Sequence, residues 1–304
     1  MRVVITGVSG SLGSFLAADL VSRGYQVLGV SRTDPKIPGV RHISQDLTLP
    51  FDASMGLSAV PKDFSDCAVI NCAAVTRDGW SSSLETDNLA ITRNALLLSS
   101  GPFLQVSSSS VYHLAKPSVK VTEAEATGLY PFLNSYSKSK FETERLVIES
   151  GVERFAILRP HALVGPNDNT LGPRVRRAIR NGRLVLPGGG VAMHEFTNFA
   201  NFAQAVRLTL DAFKGDVTLN RAVNISNGVA VPIREAIREG LGADAPGIKA
   251  IPVGLAWGLA GVLEKFAGRD SEPRISRYQV AQLAYERTYD LRVAREVLGY
   301  RPEN

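Results

Sequence analysis

A short strand, a glycine turn and an amphipathic helix open the chain, and this arrangement constrains the fold more than any other feature. Residues 2–6 read RVVIT, a β-branched run typical of a buried strand. Three glycines follow within residues 7–13 (GVSGSLG), and apolar residues then recur at helical spacing as far as Leu20. A second strand at 26–31 completes a βαβ unit, which requires parallel strands and a right-handed crossover.

The alternation of strands and helices continues through the first half of the chain. Further strands are predicted at 41–45, 67–72, 103–108 and 154–159, and helices at 83–99 and 135–150. Residues 68–70 and 155–158 are continuous apolar runs, as parallel strands covered on both faces are. The sequence therefore predicts an α/β fold with a doubly wound parallel sheet, the Rossmann architecture.

After Arg159-Pro160 the pattern loosens, because prolines and glycines divide the chain into short pieces. Helices are predicted there at 173–181, 199–213, 232–240, 253–267 and 290–297. We expect a Rossmann domain over 1–160 and a smaller cap over most of 161–304, with some later segments returning to the first domain.

The glycine turn predicts a dinucleotide site. Gly7 permits a tight turn, Gly10 lets the backbone approach a pyrophosphate, and Gly13 lets the helix pack closely on the strand. The phosphates then face amide hydrogens at a helix N-terminus. The residues expected to contact the cofactor in this turn are Gly7, Ser9, Gly10, Ser11, Leu12 and Gly13. The alternative is an ordinary glycine-rich turn between a strand and a helix.

The end of the second strand discriminates between the two nicotinamide cofactors. An acidic residue there would hold the ribose hydroxyls of NAD, but this chain has Ser31-Arg32. Arginine can pair with a 2′-phosphate, so the sequence favours NADP over NAD. The alternative is that Arg32 is a solvated loop residue and NAD is still accepted.

Two further segments are expected to line the cofactor. Asp46-Leu47 follows the third strand, where the carboxylate either holds the adenine or caps a turn. Cys72, Ala73 and Ala74 end the fourth strand, and residues this small let a cofactor pass close to the backbone.

Tyr136 and Lys140 lie one helical turn apart and so share a helix face. A nearby ammonium stabilises a phenolate and lowers the pKa of the tyrosine, and an oxidised nicotinamide adds positive charge. A tyrosine tuned in this way can exchange a proton with a hydroxyl or carbonyl oxygen. Ser108, in the serine run at the end of the fifth strand, can hydrogen-bond the same oxygen. The alternative for that run is a polar loop.

These motifs resemble the extended short-chain dehydrogenase/reductases, the family also labelled NAD-dependent epimerase/dehydratase. The resemblance runs nearly end to end. The matching segments are TGxxGxxG (6–13), DL (46–47), AA (73–74), Asn88, SSxxVY (107–112), YxxxK (136–140), LRPxxxxGP (158–166), YD (289–290) and LGYRP (298–302).

The resemblance implies a role for each chemical residue. Ser108 is then the substrate-binding hydroxyl, Tyr136 the acid/base and Lys140 its partner, and the latter two also contact the cofactor. Pro160 would contact the nicotinamide from the end of a strand, within a segment running to residue 163. The family also implies a homodimer formed through helices 83–99 and 135–150.

Departures from the family pattern narrow the reaction. Dehydratases carry Thr-Asp-Glu where this chain has three serines at 108–110, so 4,6-dehydration is disfavoured. His194 stands where sugar-nucleotide epimerases have an arginine, and their later arginine-rich pyrophosphate clamp reads EPRISR here (272–277). The case for a UDP-sugar substrate is therefore weakened but not excluded. Segments 182–190 and 252–264 resemble the 3β-hydroxysteroid dehydrogenase and dihydroflavonol reductase branches.

The leading hypothesis is an NAD(P)-dependent oxidoreductase that moves a hydride between nicotinamide and a secondary alcohol or ketone. The alternative is a sugar or sugar-nucleotide epimerase that retains its cofactor, and a dinucleotide sensor without turnover is a third.

Five arginines follow Gly165-Pro166, and they form either a solvated helix face or an anion-binding rim at the cleft. They are Arg174, Arg176, Arg177, Arg180 and Arg183.

Composition restricts the remaining classes of partner. A net charge of +5 is too small to indicate a nucleic-acid partner, and the four histidines lack the spacing of metal ligands. The longest apolar stretch, 251–263, is too short to span a bilayer. Cys67 and Cys72 are interpreted as free thiols, so we expect a cytoplasmic protein. Its expected partner is a small-molecule substrate.

Overall fold

The computed structural model describes residues 1–49, 60–166, 168, 171–215, 219–268 and 270–303. Its strands are β1 (Arg2–Thr6), β2 (Gln26–Ser31), β3 (Val40–Ser44), β4 (Ala68–Asn71), β5 (Phe103–Val106), β6 (Ser118–Val121), β7 (Phe155–Pro160), β8 (Leu163–Val164), β9 (Arg183–Pro187), β10 (Met193–Glu195), β11 (Thr197–Asn198), β12 (Arg221–Ile225), β13 (Ala230–Pro232), β14 (Gly247–Ile251) and β15 (Arg287–Tyr289). Its α-helices are α1 (Ser11–Ser22), α2 (Ser82–Leu96), α3 (Ser135–Glu149), α4 (Leu171–Ala178), α5 (Phe199–Lys214), α6 (Ile233–Leu241), α7 (Val253–Phe266), α8 (Arg277–Ala284) and α9 (Arg292–Val297).

A parallel sheet of seven strands forms the centre of the molecule, in the order β12-β7-β5-β4-β1-β2-β3. Strand order reverses direction between β1 and β4, whose register pairs Thr6 with Asn71. Ligands of open α/β sheets bind in the crevice beside such a reversal, at the carboxyl ends of the strands. The glycine turn follows β1 at this edge, so the fold places it where a dinucleotide binds.

Helices cover both faces of the sheet, which confirms the predicted doubly wound architecture. Successive residues of β1 enter different cores, because side chains alternate across a strand. Val3 packs in the core that includes Leu16 of α1 and Val206 of α5. Val4 packs in the opposite core with Ile91 of α2, so each face has its own helical layer.

Strand β12 and helices α5 and α9, all beyond residue 160, belong to this central layer. Strand β12 pairs with β7 from Arg221 opposite Ala156 to Ile225 opposite Pro160. Helix α5 contributes Phe202 and Leu210 to the core beneath β1. The remaining later segments form smaller layers, including a four-stranded sheet in the order β13-β10-β15-β6.

The sequence did not predict the short strands of these smaller layers or helix α8. Strands such as β8 and β11 have two residues each, which is too short for an alternation of apolar and polar side chains to be recognised. Strand β14 is largely exposed and therefore lacks an apolar run. Over the described residues, no helix combines the length and apolar character needed to cross a membrane.

Candidate active site

The glycine turn is sterically required by the chain itself. Gly7 has a φ of +65°, and a Cβ built there would lie 2.8 Å from the backbone nitrogen of Ala73. A Cβ on Gly13 would lie 2.3 Å from the carbonyl oxygen of Gly7. Neither position accepts a side chain without backbone movement, so the first turn of α1 is pressed against the end of β1 and the start of the loop after β4.

The N-terminus of α1 fits a dinucleotide pyrophosphate. Gly10 is the N-cap residue, with extended φ and ψ of −77° and 161°, and no described side chain caps the helix there. Ser9 is exposed, while Ser11 and Leu12 are half-buried at the start of the helix. Backbone amides at an uncapped helix N-terminus form an anion site, and these residues would hold the phosphates.

Arg32 lies exposed at the end of β2, on the rim where the adenosine half of the dinucleotide is expected. Ser31 beside it is buried, and its hydroxyl donates to the Thr33 carbonyl at 2.8 Å and contacts His42 Nε2 at 3.0 Å. Ser31 therefore fixes the local turn, whereas the Arg32 guanidinium is presented to solvent. Such a guanidinium suits a 2′-phosphate.

Asp46 has the contacts of a turn residue. Its Oδ1 accepts hydrogen bonds from the Thr48 amide at 2.9 Å and the Thr48 hydroxyl at 2.8 Å. These bonds, together with the charge of Arg32, hold the pKa of the Asp46 carboxyl below its usual value despite an opposing effect of burial. Leu47 is buried in the core beneath the α2 face of the sheet, so its side chain supports this rim from below.

The loop after β4 is held close to α3. Cys72, Ala73 and Ala74 are half-buried, and burial raises the pKa of the Cys72 thiol to about 12, so it stays protonated. Further along, Asn88 accepts from the Val75 amide at 2.7 Å and donates to the Ser139 hydroxyl at 2.9 Å. This bridge fixes the distance between the loop that passes the cofactor and the helix that carries the chemistry.

The structure brings Ser108, Tyr136 and Lys140 together, as their order and spacing predicted. Ser108 caps a short 3-10 turn after β5, and its Oγ accepts from the Ser110 amide at 3.1 Å. This bond leaves the Ser108 proton to be donated elsewhere, and the hydroxyl is near enough to the Tyr136 phenol to act on its pKa. One oxygen of a substrate could therefore meet both hydroxyls.

The Tyr136 phenol has a pKa above its ordinary value in the structure, which differs from the expected effect of Lys140. Burial raises the pKa, while the Ser108 hydroxyl and the positive charge of Arg174 act to lower it. The physical reason is that desolvation of the phenolate outweighs the opposing groups. The charge of Arg174, a residue of the cap, is the smallest of these effects.

Lys140 is 5% exposed and is oriented by the backbone. Its Nζ donates to the Val106 carbonyl at 2.9 Å and lies 5.9 Å from the centroid of the Tyr136 ring. Burial lowers the pKa of Lys140 to about 8, although Cys72 and Glu144 both act to raise it. The amine thus lies at the end of β5 beside the tyrosine ring, where a ribose hydroxyl or an added charge would meet it.

A buried ion pair continues this stripe of α3 by one more helical turn. Glu144 accepts from Arg159 Nε at 2.9 Å and from Arg159 Nη2 at 2.6 Å, and it also accepts from the Ser107 hydroxyl. Both partners are more than nine-tenths buried. Removing one partner of such a pair typically costs about 3–5 kcal/mol, so this contact fixes α3 against β7. The sequence analysis missed this pair, and the available signal was that Glu144 lies one helical turn after Lys140.

The four serines at 107–110 differ in their contacts. Ser107 binds Glu144 and Ser108 meets Tyr136, as described above. Ser109 contacts His161 Nδ1 at 2.7 Å, and Ser110 Oγ is buried with no hydrogen-bond partner among the described residues. The run is therefore a packed turn that presents one hydroxyl, not a solvated polar loop.

Two buried histidines connect this turn to the cap. His161 Nε2 lies 3.2 Å from His194 Nδ1, and His194 Nε2 lies 3.0 Å from the Tyr285 carbonyl oxygen. Burial and the charge of Arg287 lower the pKa of His194 to about 3, so it is neutral. A neutral, internally bonded His194 cannot pair with a phosphate. Pro160 lies at the end of β7 just before His161, and Ala162 beyond it has a left-handed φ of 42°.

The five arginines after Gly165-Pro166 do not act as one group. Arg174 Nη2 donates to the Thr76 carbonyl at 3.0 Å and so reaches the loop after β4. Arg177 donates to the carbonyl of Pro173 in its own helix. Arg176 pairs with Asp244 at 3.8 Å on the cap. Most of the cluster is thus exposed on the cap, while Arg174 reaches the crevice, where an anion-binding rim stays a prediction.

Asp78, in the loop after β4, is a buried residue that joins separate elements. It is 7% exposed, and Asn134 Nδ2 donates to its Oδ1 at 2.9 Å. Asn134 in turn caps α3 by accepting from the Ser137 amide at 2.9 Å. The Ser276 hydroxyl of the α8 N-cap also donates to Asp78, which therefore joins the catalytic helix to the cap. A single aspartate in a loop gave no sequence signal of this role.

A doubly wound sheet, an uncapped glycine turn and a Ser-Tyr-Lys constellation define a nicotinamide-dependent enzyme of the short-chain dehydrogenase/reductase class. The family model described as NAD dependent epimerase/dehydratase matches residues 3–226. The chain belongs to this family, which confirms the expected resemblance and the prediction of an enzyme rather than a sensor.

Relatives that resemble the chain over nearly its whole length include reductases and dehydrogenases. A 2-alkyl-3-oxoalkanoate reductase of Stenotrophomonas maltophilia is 30% identical over 317 residues, covering 100% of this chain and 95% of the relative. A decarboxylating sterol-4-alpha-carboxylate 3-dehydrogenase of Mus musculus is 26% identical over 327 residues, covering 99% and 86%. The chain is thus an NAD-dependent oxidoreductase or epimerase by family, with oxidoreductases among its relatives.

Solved structures of epimerases share the fold. The UDP-glucose 4-epimerase of Brucella ovis in complex with NAD superimposes with a TM-score of 0.73, at 18% identity over 99% of this chain and 93% of the other. The UDP-glucuronic acid 4-epimerase of Bacillus cereus in complex with NAD gives a TM-score of 0.70 at 19% identity, over 100% and 94%.

Proposed function

We propose that the protein is an NAD(P)-dependent oxidoreductase that interconverts a secondary alcohol and a ketone. Bound nicotinamide would supply or accept the hydride. Tyr136 moves the proton at the substrate oxygen, Ser108 holds that oxygen, and Lys140 lies beside the tyrosine to bind ribose hydroxyls. The observation that carries the proposal is that the Ser108 hydroxyl, the Tyr136 phenol and the Lys140 amine come together at the carboxyl end of β5.

The proposed substrate carries a carboxylate on the carbon next to the reacting one and carries no nucleotide. Both reductase and dehydrogenase relatives act, by their names, on such acids. The neutral, buried His194 argues against a diphosphate clamp at this position. The same feature disfavours the alternative, a sugar-nucleotide epimerase that retains its cofactor.

We further propose that NADP is preferred over NAD, because Arg32 is exposed at the end of β2 and this position carries no carboxylate. Replacing Arg32 with Ala should weaken NADP binding by roughly 10- to 100-fold, the usual scale of a charge-assisted contact, and leave NAD binding nearly unchanged. Equal effects on both cofactors would show that Arg32 does not read the 2′-phosphate.

A homodimer in the cytoplasm completes the proposal. Helices α2 and α3 pack on each other, and apolar side chains at their far ends, Leu97 and Ile148, are 43% and 57% exposed. A second copy would cover these side chains. The free thiols Cys67 and Cys72 favour a reducing compartment. Sedimentation of the wild type and of Ile148→Asp tests the dimer.

The experiment that tests the reaction is cofactor stoichiometry. Purified protein is mixed with NADPH and a panel of ketones and 3-oxo acids, and nicotinamide absorbance is followed. A reductase consumes one cofactor for each alcohol formed. Turnover by protein that retains its dinucleotide, with no net change in absorbance, would establish the epimerase instead.

A further inference from the structure

The cap helix α4 places a guanidinium at the edge of the proposed active site. Asp168 fixes the start of this helix, since its carboxylate accepts from the amides of Leu171 at 3.1 Å and Gly172 at 2.7 Å. Arg174, in the first turn of the helix, then reaches the Thr76 carbonyl in the loop after β4. The side chain thus spans the opening between the cap and the crevice.

Arg174 is close to the catalytic helix through two short chains of contacts. Arg174 contacts the loop after β4, which is tied to the catalytic helix by two hydrogen bonds. One joins Asn88 to Ser139, and the other joins Asp78 to Asn134, two residues before Tyr136. Its positive charge acts to lower the pKa of the Tyr136 phenol, against the larger effect of burial. The charge is also felt at Tyr278 of α8, whose hydroxyl accepts a hydrogen bond from Gln282.

The guanidinium keeps donors for a ligand. Among the described residues it makes one hydrogen bond, to Thr76, and one ion pair, with Glu272 at 3.7 Å. Both side chains of that pair are nearly half exposed, so the pair is weak. Arginine carries several N–H donors in a planar fork that matches a carboxylate. An incoming carboxylate would compete with Glu272 for this guanidinium, while Glu272 Oε1 keeps its hydrogen bond from the Asp78 amide at 2.8 Å.

We propose that Arg174 binds the substrate carboxylate and makes the enzyme selective for 3-hydroxy and 3-oxo acids over neutral alcohols and ketones. This inference rests on the proposed function. It assigns a specific residue to the carboxylate that the relatives' substrates contain. A carboxylate beside the reacting carbon and an oxygen on that carbon are held together by Arg174 on one side and by Tyr136 with Ser108 on the other.

A matched pair of substrates tests the assignment. A 2-alkyl-3-hydroxyalkanoate and its methyl ester are oxidised with NADP by the wild type, Arg174→Met, Arg174→Lys and Arg177→Met. Arg174→Met should lower kcat/KM for the acid by roughly 10- to 100-fold, chiefly through KM, and change the ester by about threefold at most. Arg174→Lys should recover part of the loss, and Arg177→Met, on the same helix, should match the wild type.

Two results would overturn the inference. If Arg174→Met leaves kcat/KM for the acid unchanged, Arg174 does not bind the carboxylate. If kcat/KM falls equally for acid and ester, Arg174 only fastens the cap to the loop. If the wild type oxidises neither substrate, the proposed reaction fails, and calorimetric binding of the acid to cofactor-loaded protein decides the inference separately. Equal affinities of the wild type and Arg174→Met for the acid would then contradict it.

Discussion

Lys140 illustrates how a residue recognised by spacing acquires its chemistry from burial. The sequence placed it one helical turn after Tyr136, and the structure adds a carbonyl acceptor and near-complete exclusion of water. Burial makes its charge costly, so its pKa falls to about 8. The amine is therefore sensitive to any group that approaches it, including a ribose hydroxyl.

This low pKa predicts a pH-dependent stability in the cofactor-free protein. Between pH 8 and the ordinary Lys value of 10.5, the unfolded chain binds a proton that the folded chain has released. The contribution of Lys140 to stability should therefore rise with pH in this window, by at most about 1.4 kcal/mol per pH unit, and Lys140→Met should abolish that contribution. The raised pKa values of Cys67 and Cys72 act in the opposite direction above their ordinary value of 9, and the raised pKa of Tyr136 does so above 10.

Urea unfolding of both proteins across the window measures the difference, since other titrating groups are common to the two. Curves that stay parallel from pH 8 upward would show that Lys140 keeps its ordinary proton affinity in the fold.

At the scale of elements, the glycine turn and α1 form one rigid unit with the loop after β4. Their contacts are backbone to backbone, so no rotamer change can absorb an added side chain. Gly13→Ala would place a methyl 2.3 Å from the Gly7 carbonyl oxygen. The turn must open, which moves the amides that face the pyrophosphate.

We expect Gly13→Ala to lose about 1–3 kcal/mol of stability, the usual cost of overpacking, and to bind dinucleotide at least roughly tenfold more weakly. Gly258→Ala in α7 is the control, because nothing lies within 4 Å of its added Cβ. That control should bind dinucleotide normally and gain up to about 1 kcal/mol from helix propensity. Calorimetric titration and thermal unfolding measure both quantities, and normal cofactor affinity in Gly13→Ala would refute the tight-turn explanation.

The sequence predicted elements where they were long or buried and failed where they were short. The central strands of the sheet and helices α2, α3 and α5 were placed within a few residues, since periodicity over a long segment is a strong signal. The links between elements were not predictable: Asp78 to Asn134, Glu144 to Arg159, and Arg174 to Thr76. Each joins residues far apart in sequence, and a single side chain carries no pattern.

At the scale of the whole molecule, the chain passes repeatedly between the two layers that the sequence separated at residue 160. Strand β12 completes the central sheet, and β6 lies in the same small sheet as β10 and β15. Asp78 and Arg174 add contacts across the crevice. We therefore expect the two layers to unfold together.

Dinucleotide binding should stabilise both layers equally. At roughly 100 times Kd, a ligand that binds only the folded state adds about 2.7 kcal/mol. Trp257, in α7 of the cap, and the far-UV signal of the central helices should shift to higher temperature together. A tryptophan transition that stays in place while the far-UV transition moves would mean that the cap unfolds independently of the cofactor domain.

The central claim is that the Tyr136 phenol carries the proton during hydride transfer, and Tyr136→Phe tests it most directly. The measurement is single-turnover hydride transfer, followed by nicotinamide absorbance, beside the dinucleotide Kd of the same variant. We predict a loss of roughly 10²- to 10⁴-fold in the transfer rate, with a Kd within about threefold of wild type. A variant that transfers hydride at nearly the wild-type rate would contradict the account.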